Sequence, residues 1–248
     1  MRYDALLAET ITIHGHGSDA IEAYSARPLQ PGPLGGVVVI HHMPGYDRAT
    51  KEITRRFAEA GFNAVCPNLY SREAPGASPD DAAAIARARG GVPDDRLVGD
   101  VAGAASYLRG LPNSNQKVGV IGYCSGGRQA VLAACSLDLD AAVDCYGAFV
   151  VAAPPPEAPI AATPLRDRLA DLRCPLLGLF GAEDAHPSPA ETAELEKILA
   201  EHGKTYEFHS YQGAGHAFFA VDRPSYRPDA ANDGWQRILN WFGRYLTA

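Results

Sequence analysis

Residues 122–127 read GYCSGG, and Gly122, Cys124 and Gly126 within them give the pattern G-x-C-x-G. A thiol so placed can be a nucleophile held in a sharp turn between a strand and a helix. The backbone at the centre of such a turn is strained, and the residues two positions away must lack bulk so that strand and helix can approach. Gly122 and Gly126 meet that demand. A helix starting just after the cysteine would aim its amides and dipole at the sulfur and favour thiolate over thiol. A glycine-rich turn ahead of a helix can also bind phosphate, so the motif by itself leaves both uses open.

A sulfur nucleophile needs a base, and the base needs an acid to orient it. Enzymes built around this turn supply the three in the chain order nucleophile, acid, histidine. Asp184 ends the run PLLGLFGAED, and His216 lies in GAGHAFF just after TYEFHSYQ. Both are therefore expected at the carboxyl ends of strands, where loops converge. His216 is the histidine downstream of Asp184 that follows a strand in a glycine-flanked loop. His186 and His202 fall in a loop and at a helix end, His209 falls within a strand, and Glu183 reads as a surface neighbour of Asp184.

The elements that must position these residues follow from hydrophobic patterning. GGVVVIHH, KVGVIGYC and PLLGLFGAED are apolar runs of the kind buried on both faces of a sheet, and NAVCPNLY, LDAAVDCYG and TYEFHSYQGA are also strand-like. Between them DRATKEITRRFAEAG, DDRLVGDVAGAASYLRGL, GRQAVLAACS and SPAETAELEKILAEHG read as helices, and DGWQRILNWFGRYL as a terminal one. ITIH and AIEAYSARP suggest an antiparallel edge hairpin. This alternation predicts a mostly parallel sheet with helices on both faces. Residues 71–96 and the proline-rich 152–164 break the rhythm and are expected as loops over the site, so residues 1–248 read as one domain.

Composition narrows the function. The 248 residues are 46% hydrophobic and carry a net charge of −7, ordinary for a chain with a sizeable core and unfavourable for nucleic-acid or anionic-membrane partners. No apolar run approaches the roughly 18 residues needed to span a bilayer, so a cytoplasmic location is expected. The five cysteines are odd in number and form no C-x-x-C pair, which suggests neither a disulfide framework nor a metal knuckle.

The signatures FNAVCPNLYSR, KVGVIGYCSGG, YGAFV, LLGLFGAEDAHPSP and YQGAGHAFF, in that order between about residues 35 and 245, resemble the dienelactone hydrolase family, a branch of the α/β-hydrolase fold with a cysteine nucleophile. The resemblance implies Cys124 as nucleophile, His216 as base and Asp184 as its orienter, with an oxyanion hole from the backbone of Met43 and Ser125. It implies hydrolysis of a small ester or lactone with no metal or organic cofactor, by a monomer or homodimer, and places His42, Tyr146, Arg87 and Arg89 around the substrate. Two positions depart from the pattern. The founding members carry a glutamate where this chain has His42 in HHMPG. They also hold a substrate carboxylate with an arginine where this chain has Ala220, so a preference for neutral esters is expected here, unless Arg223, Arg87 or Arg89 restores the charge. The same triad could serve a thioesterase or arylesterase, and the same turn a weakly hydrolytic sensor.

Overall fold

The chain enters as a hairpin of β1 (Leu6–His14) and β2 (Ala20–Pro28), paired antiparallel from Leu6 opposite Pro28 to His14 opposite Ala20. It continues through β3 (Leu34–Ile40), α1 (Arg48–Glu59), β4 (Asn63–Pro67), α2 (Pro79–Ala88), α3 (Asp94–Arg109), β5 (Ser114–Tyr123) and α4 (Ser125–Ser136). Then follow β6 (Ala141–Cys145), β7 (Leu176–Gly181), α5 (Pro189–Glu201), β8 (Tyr206–Tyr211) and α6 (Pro228–Leu246). The computed structural model describes residues 5–156, 158 and 161–247.

The strands form one sheet in the order β1-β2-β4-β3-β5-β6-β7-β8, parallel from β4 to β8. Alternation along β3 sorts its side chains to two cores. Val38 and Ile40 join Leu97, Val101 and Leu132 of α3 and α4 on one face. Val37 and Val39 join Phe57 of α1 and Trp235, Ile238 and Phe242 of α6 on the other. Both faces of the inner strands are dry, which explains why their sequences are continuous apolar runs.

Two expectations need correction. Residues 71–96 are not loop throughout, because α2 occupies 79–88, capped by Ser78 with Pro79 in its first turn. Its fully buried residues are Ala82, Ala83 and Ala86, with Ile85, its one large apolar residue, partly buried beside them. Helix α6 begins at Pro228, five residues before the apolar pattern does, since proline suits the first helical turn. Residues 152–156 and 161–164 contain no helix or strand, and residues 157, 159 and 160 of that stretch lie outside the described residues. Among the described residues no helix is long and apolar enough to cross a membrane.

Candidate active site

Cys124 stands between the last residue of β5 and the first of α4, with φ 58° and ψ −122°, a conformation that L-residues rarely adopt. Its own N–H donates to the Cys145 carbonyl (3.0 Å) and its carbonyl accepts from Gly127 (2.9 Å), which pins the turn to β6. The flanking glycines are required by approach. A Cβ on Gly126 would lie 2.6 Å from the Ile40 carbonyl oxygen, and one on Gly122 would strike the Gly126 backbone. Tyr46, Tyr146, Phe149 and Ala217, all in loops at this carboxyl edge, also have positive φ. Strain collects where the site is.

Asp184 follows β7 by three residues and is buried, and His216 follows β8 by five. The His216 Nδ1–H donates to Asp184 Oδ2 at 2.8 Å, while Asp184 Oδ1 accepts the His186 backbone N–H at 2.9 Å. Burial disfavours charge on the His216 ring. The hydrogen bonds to Asp184 and Cys124 outweigh it and push the imidazole up to about 10. The edge of Tyr146 packs against the same ring, with centroids 5.1 Å apart. Ser125 opens α4, so its amide is one of the terminal N–H groups without an intrahelical acceptor.

A cavity of about 350 Å³ opens in front of the sulfur, lined by Met43, Leu69, Tyr70, Val92, Phe149 and Ala162 with Cys124, Ser125 and His216. A second cavity of only about 50 Å³ touches Cys124 from another side, lined by His42, Met43, Tyr146, His216, Ala220 and Arg223. His42 faces Asp47, with Nε2 at 3.1 Å from Oδ2. Burial works against ionisation of Asp47, but His42 and the amide and hydroxyl of Thr50 hold this carboxyl well below the usual range.

The expected residues Cys124, Asp184, His216, Met43, Ser125, His42 and Tyr146 therefore meet at one place. Arg87 and Arg89 do not. Arg87, in the last turn of α2, and Arg89, just past it, line a groove against Pro154–Pro156 that adjoins the front cavity through Gly91, Val92, Asp94, Ala161 and Ala162. Arg223 reaches the small cavity, and His186, expected in solvent, is exposed and stands at the rim of the large one.

Other residues of the site escape a reading of the sequence. Arg128 forms a wall of the large cavity. It makes a two-pronged pair with Asp94 (2.9 Å each) and donates to the Thr163 carbonyl (2.5 Å), so its charge is spent on α3 and the proline-rich stretch. His41 is buried and neutral: burial lowers it to about 4, its Nδ1–H donates to the His42 carbonyl and its Nε2 accepts from Leu69 N–H. It ties the loop after β3 to the loop after β4. Asp144 lies beneath the turn, one oxygen on Gly147 N–H (2.7 Å) and the other buried without a partner. Its only sequence signal is a charge inside an apolar strand.

The model of the dienelactone hydrolase family matches residues 21–246. The chain is 36% identical to the "Putative carboxymethylenebutenolidase" of Escherichia coli K12 over 98% of this chain and 89% of that one. It is 34% identical to the protein of the same name from Methylorubrum extorquens, over 92% of this chain and 78% of that one. A crystal structure titled as a putative dienelactone hydrolase from Klebsiella pneumoniae superposes with a TM-score of 0.84 at 32% identity, covering 98% of this chain and all of that one. A Cys–His–Asp cluster on the loops of a mostly parallel sheet and these likenesses lead to one conclusion: the chain belongs to the dienelactone hydrolase family and is a hydrolase with the α/β-hydrolase fold.

Proposed function

We propose that this protein, acting as one domain, hydrolyses small carboxylic esters or lactones through Cys124, His216 and Asp184. The observation that carries this reading is His216, held between the Asp184 carboxylate and the strained Cys124, beside a cavity of about 350 Å³. In the first half-reaction the Cys124 proton passes to His216 and the sulfur attacks the carbonyl carbon. The backbone amides of Met43 and Ser125 receive the oxyanion. The imidazolium then protonates the leaving oxygen and a thioester remains on Cys124. In the second half-reaction His216 takes a proton from water, the hydroxide attacks the thioester, the C–S bond breaks and the acid leaves. Asp184 keeps the ring oriented and stabilises its charge in both halves.

The front cavity favours neutral substrates. Its walls are largely apolar, and its cation, Arg128, is already neutralised by Asp94. A free arginine–carboxylate contact in a dry pocket is worth on the order of 1.5–3 kcal/mol, so its absence leaves anionic esters at a disadvantage of roughly 10- to 150-fold. A panel of lactones, aryl esters and thioesters tests the reading. Turnover of uncharged aryl esters or lactones, with lower kcat/KM for carboxylate-bearing analogues at moderate salt, is the expected result. No turnover with any of them overturns it.

A further inference from the structure

The small cavity on the second side of Cys124 has no part in binding the acyl group as described. At about 50 Å³ it can hold one to a few water molecules, which need roughly 10–15 Å³ each, and it is far smaller than cavities that enclose whole substrates. Its lining brings together the sulfur of Cys124, the base His216, the cation Arg223 and His42. It shares Cys124, His216 and Met43 with the front cavity. It shares His42, Tyr146 and Ala220 with a rear cavity of about 440 Å³ that is bounded by Tyr123, Phe219, Trp235 and the charged face of α1. The three form a series, with the nucleophile in its middle.

His42 is held for a purpose beyond filling space. Its Nε2 lies 3.1 Å from Asp47 Oδ2, and Asp47 is itself fixed by the amide of Thr50 (2.9 Å) and its hydroxyl (2.8 Å) at the start of α1. With Nε2 toward this carboxylate, Nδ1 is the ring nitrogen left to meet a second partner, and a ring nitrogen without a proton is the acceptor a water molecule needs when its other proton goes to a base.

We infer that the small cavity seats the water that hydrolyses the thioester, and that His42, anchored by Asp47, is a further catalytic residue that orients this water through a hydrogen bond. The water gives one proton to His216 and directs the other to His42. Its oxygen bonds to the thioester carbon as the carbon–sulfur bond breaks, and the proton on His216 returns to the Cys124 sulfur. Water thus reaches the thioester carbon from the His42 and His216 side, while the rest of the acyl group occupies the front cavity and need not be displaced. The inference rests on the ester-hydrolase reading.

The test separates the two half-reactions. With a p-nitrophenyl ester in stopped flow, the burst of nitrophenolate reports acylation and the steady rate reports deacylation. In His42→Ala the burst rate should stay within about 3-fold of wild type while the steady rate falls about 10- to 100-fold. Intact-mass measurement should then show the acyl-enzyme accumulating, and hydroxylamine, which needs no activation, should restore turnover. Ala220→Leu, which fills the cavity and leaves His42 in place, should give the same split and guards against a folding defect in the first variant. Burst and steady rates falling together, neither changing, or a selective rise in KM for anionic esters would each overturn the proposal. Failure of the hydrolase reading looks different, since wild type itself would then show no burst and no turnover.

Discussion

Two histidine–carboxylate pairs flank one sulfur, and they are built differently. In His216–Asp184 both partners sit in loops that leave the sheet, and the buried Asp184 has a single further task, accepting the His186 amide. In His42–Asp47 the carboxylate is also the N-cap of α1, engaged by Thr50 through two hydrogen bonds. The first pair raises its imidazole to about 10. The proposed roles follow this division: Asp184, with one other hydrogen bond, supports proton transfer by His216, whereas Asp47, shared with the end of α1, holds the His42 ring in place.

Removing the first pair should cost most. Cys124→Ala and His216→Ala are expected to abolish turnover, with kcat reduced by on the order of 10³ or more and an unchanged circular-dichroism spectrum. Asp184→Asn should lose on the order of 10³, while Glu183→Gln, on the exposed neighbour, stays near wild type. A dead Glu183→Gln with an active Asp184→Asn would assign the wrong carboxylate. Asp47→Asn, which can still cap α1, should cost about tenfold or less, confined to the steady rate. Equal losses at Asp184 and Asp47 would erase the distinction between the pairs.

The pH dependence sharpens it. A histidine whose folded pKa lies above its unfolded value adds stability that is complete below pH 6.5 and is lost as pH rises to about 10. In Asp184→Asn one of the two groups holding the proton is weakened, so the alkaline limb of kcat/KM, near pH 10 in wild type, should move to lower pH. Nitrogen-shift NMR titration of His216 checks the same point directly, and an unmoved titration would contradict it.

The smallest expected effect concerns Asp144, which burial raises to about 7. Its unfolded value is 3.8, so the sign is opposite to that of a salt-bridged carboxylate. The contribution of Asp144 to stability should fall as pH rises from about 4 to about 7 and then level off, against the opposite contribution of the buried His41 over much of the same range. Asp144→Asn should remove that contribution, so its melting temperature relative to wild type should rise with pH between about 4 and 7 and stay higher above pH 7, by roughly 2–4 °C per kcal/mol for a chain of this size. Parallel melting curves for both proteins from pH 4 to 8 would refute it.

How much of this was legible in the sequence depends on how locally each residue is determined. Cys124, Asp184 and His216 each follow an apolar strand, and the rule that sites lie beyond the carboxyl ends of parallel strands brings them together without coordinates. The glycines at 122 and 126 announced the turn because only a residue without Cβ fits there. Asp47 was not singled out, because it opens the run DRATKE that reads as helix, and its place as the cap of α1 gives no sign of its approach to His42. Arg128 was not singled out, because its partner Asp94 lies 34 residues earlier and nothing near it in the sequence marks the pair. Helix α2 was missed because Ile85 is its one large apolar residue and its fully buried residues are alanines. With the helix unread, Arg87 and Arg89 could not be set beside the groove that adjoins the front cavity.

The central claim is that Cys124 carries the acyl group. Four of the five cysteines are buried with thiols pushed up by burial, Cys135 and Cys174 to about 12, whereas Cys124 is half-buried. The most direct measurement is acid-quench of the protein with a slow aryl ester or lactone during turnover, followed by intact-mass analysis and peptide mapping. The expected result is one acyl group on the peptide containing Cys124, released by hydroxylamine at neutral pH as a thioester and absent in Cys124→Ala. An acyl group on Ser125 or on another cysteine, or turnover that persists in Cys124→Ala, would contradict the account.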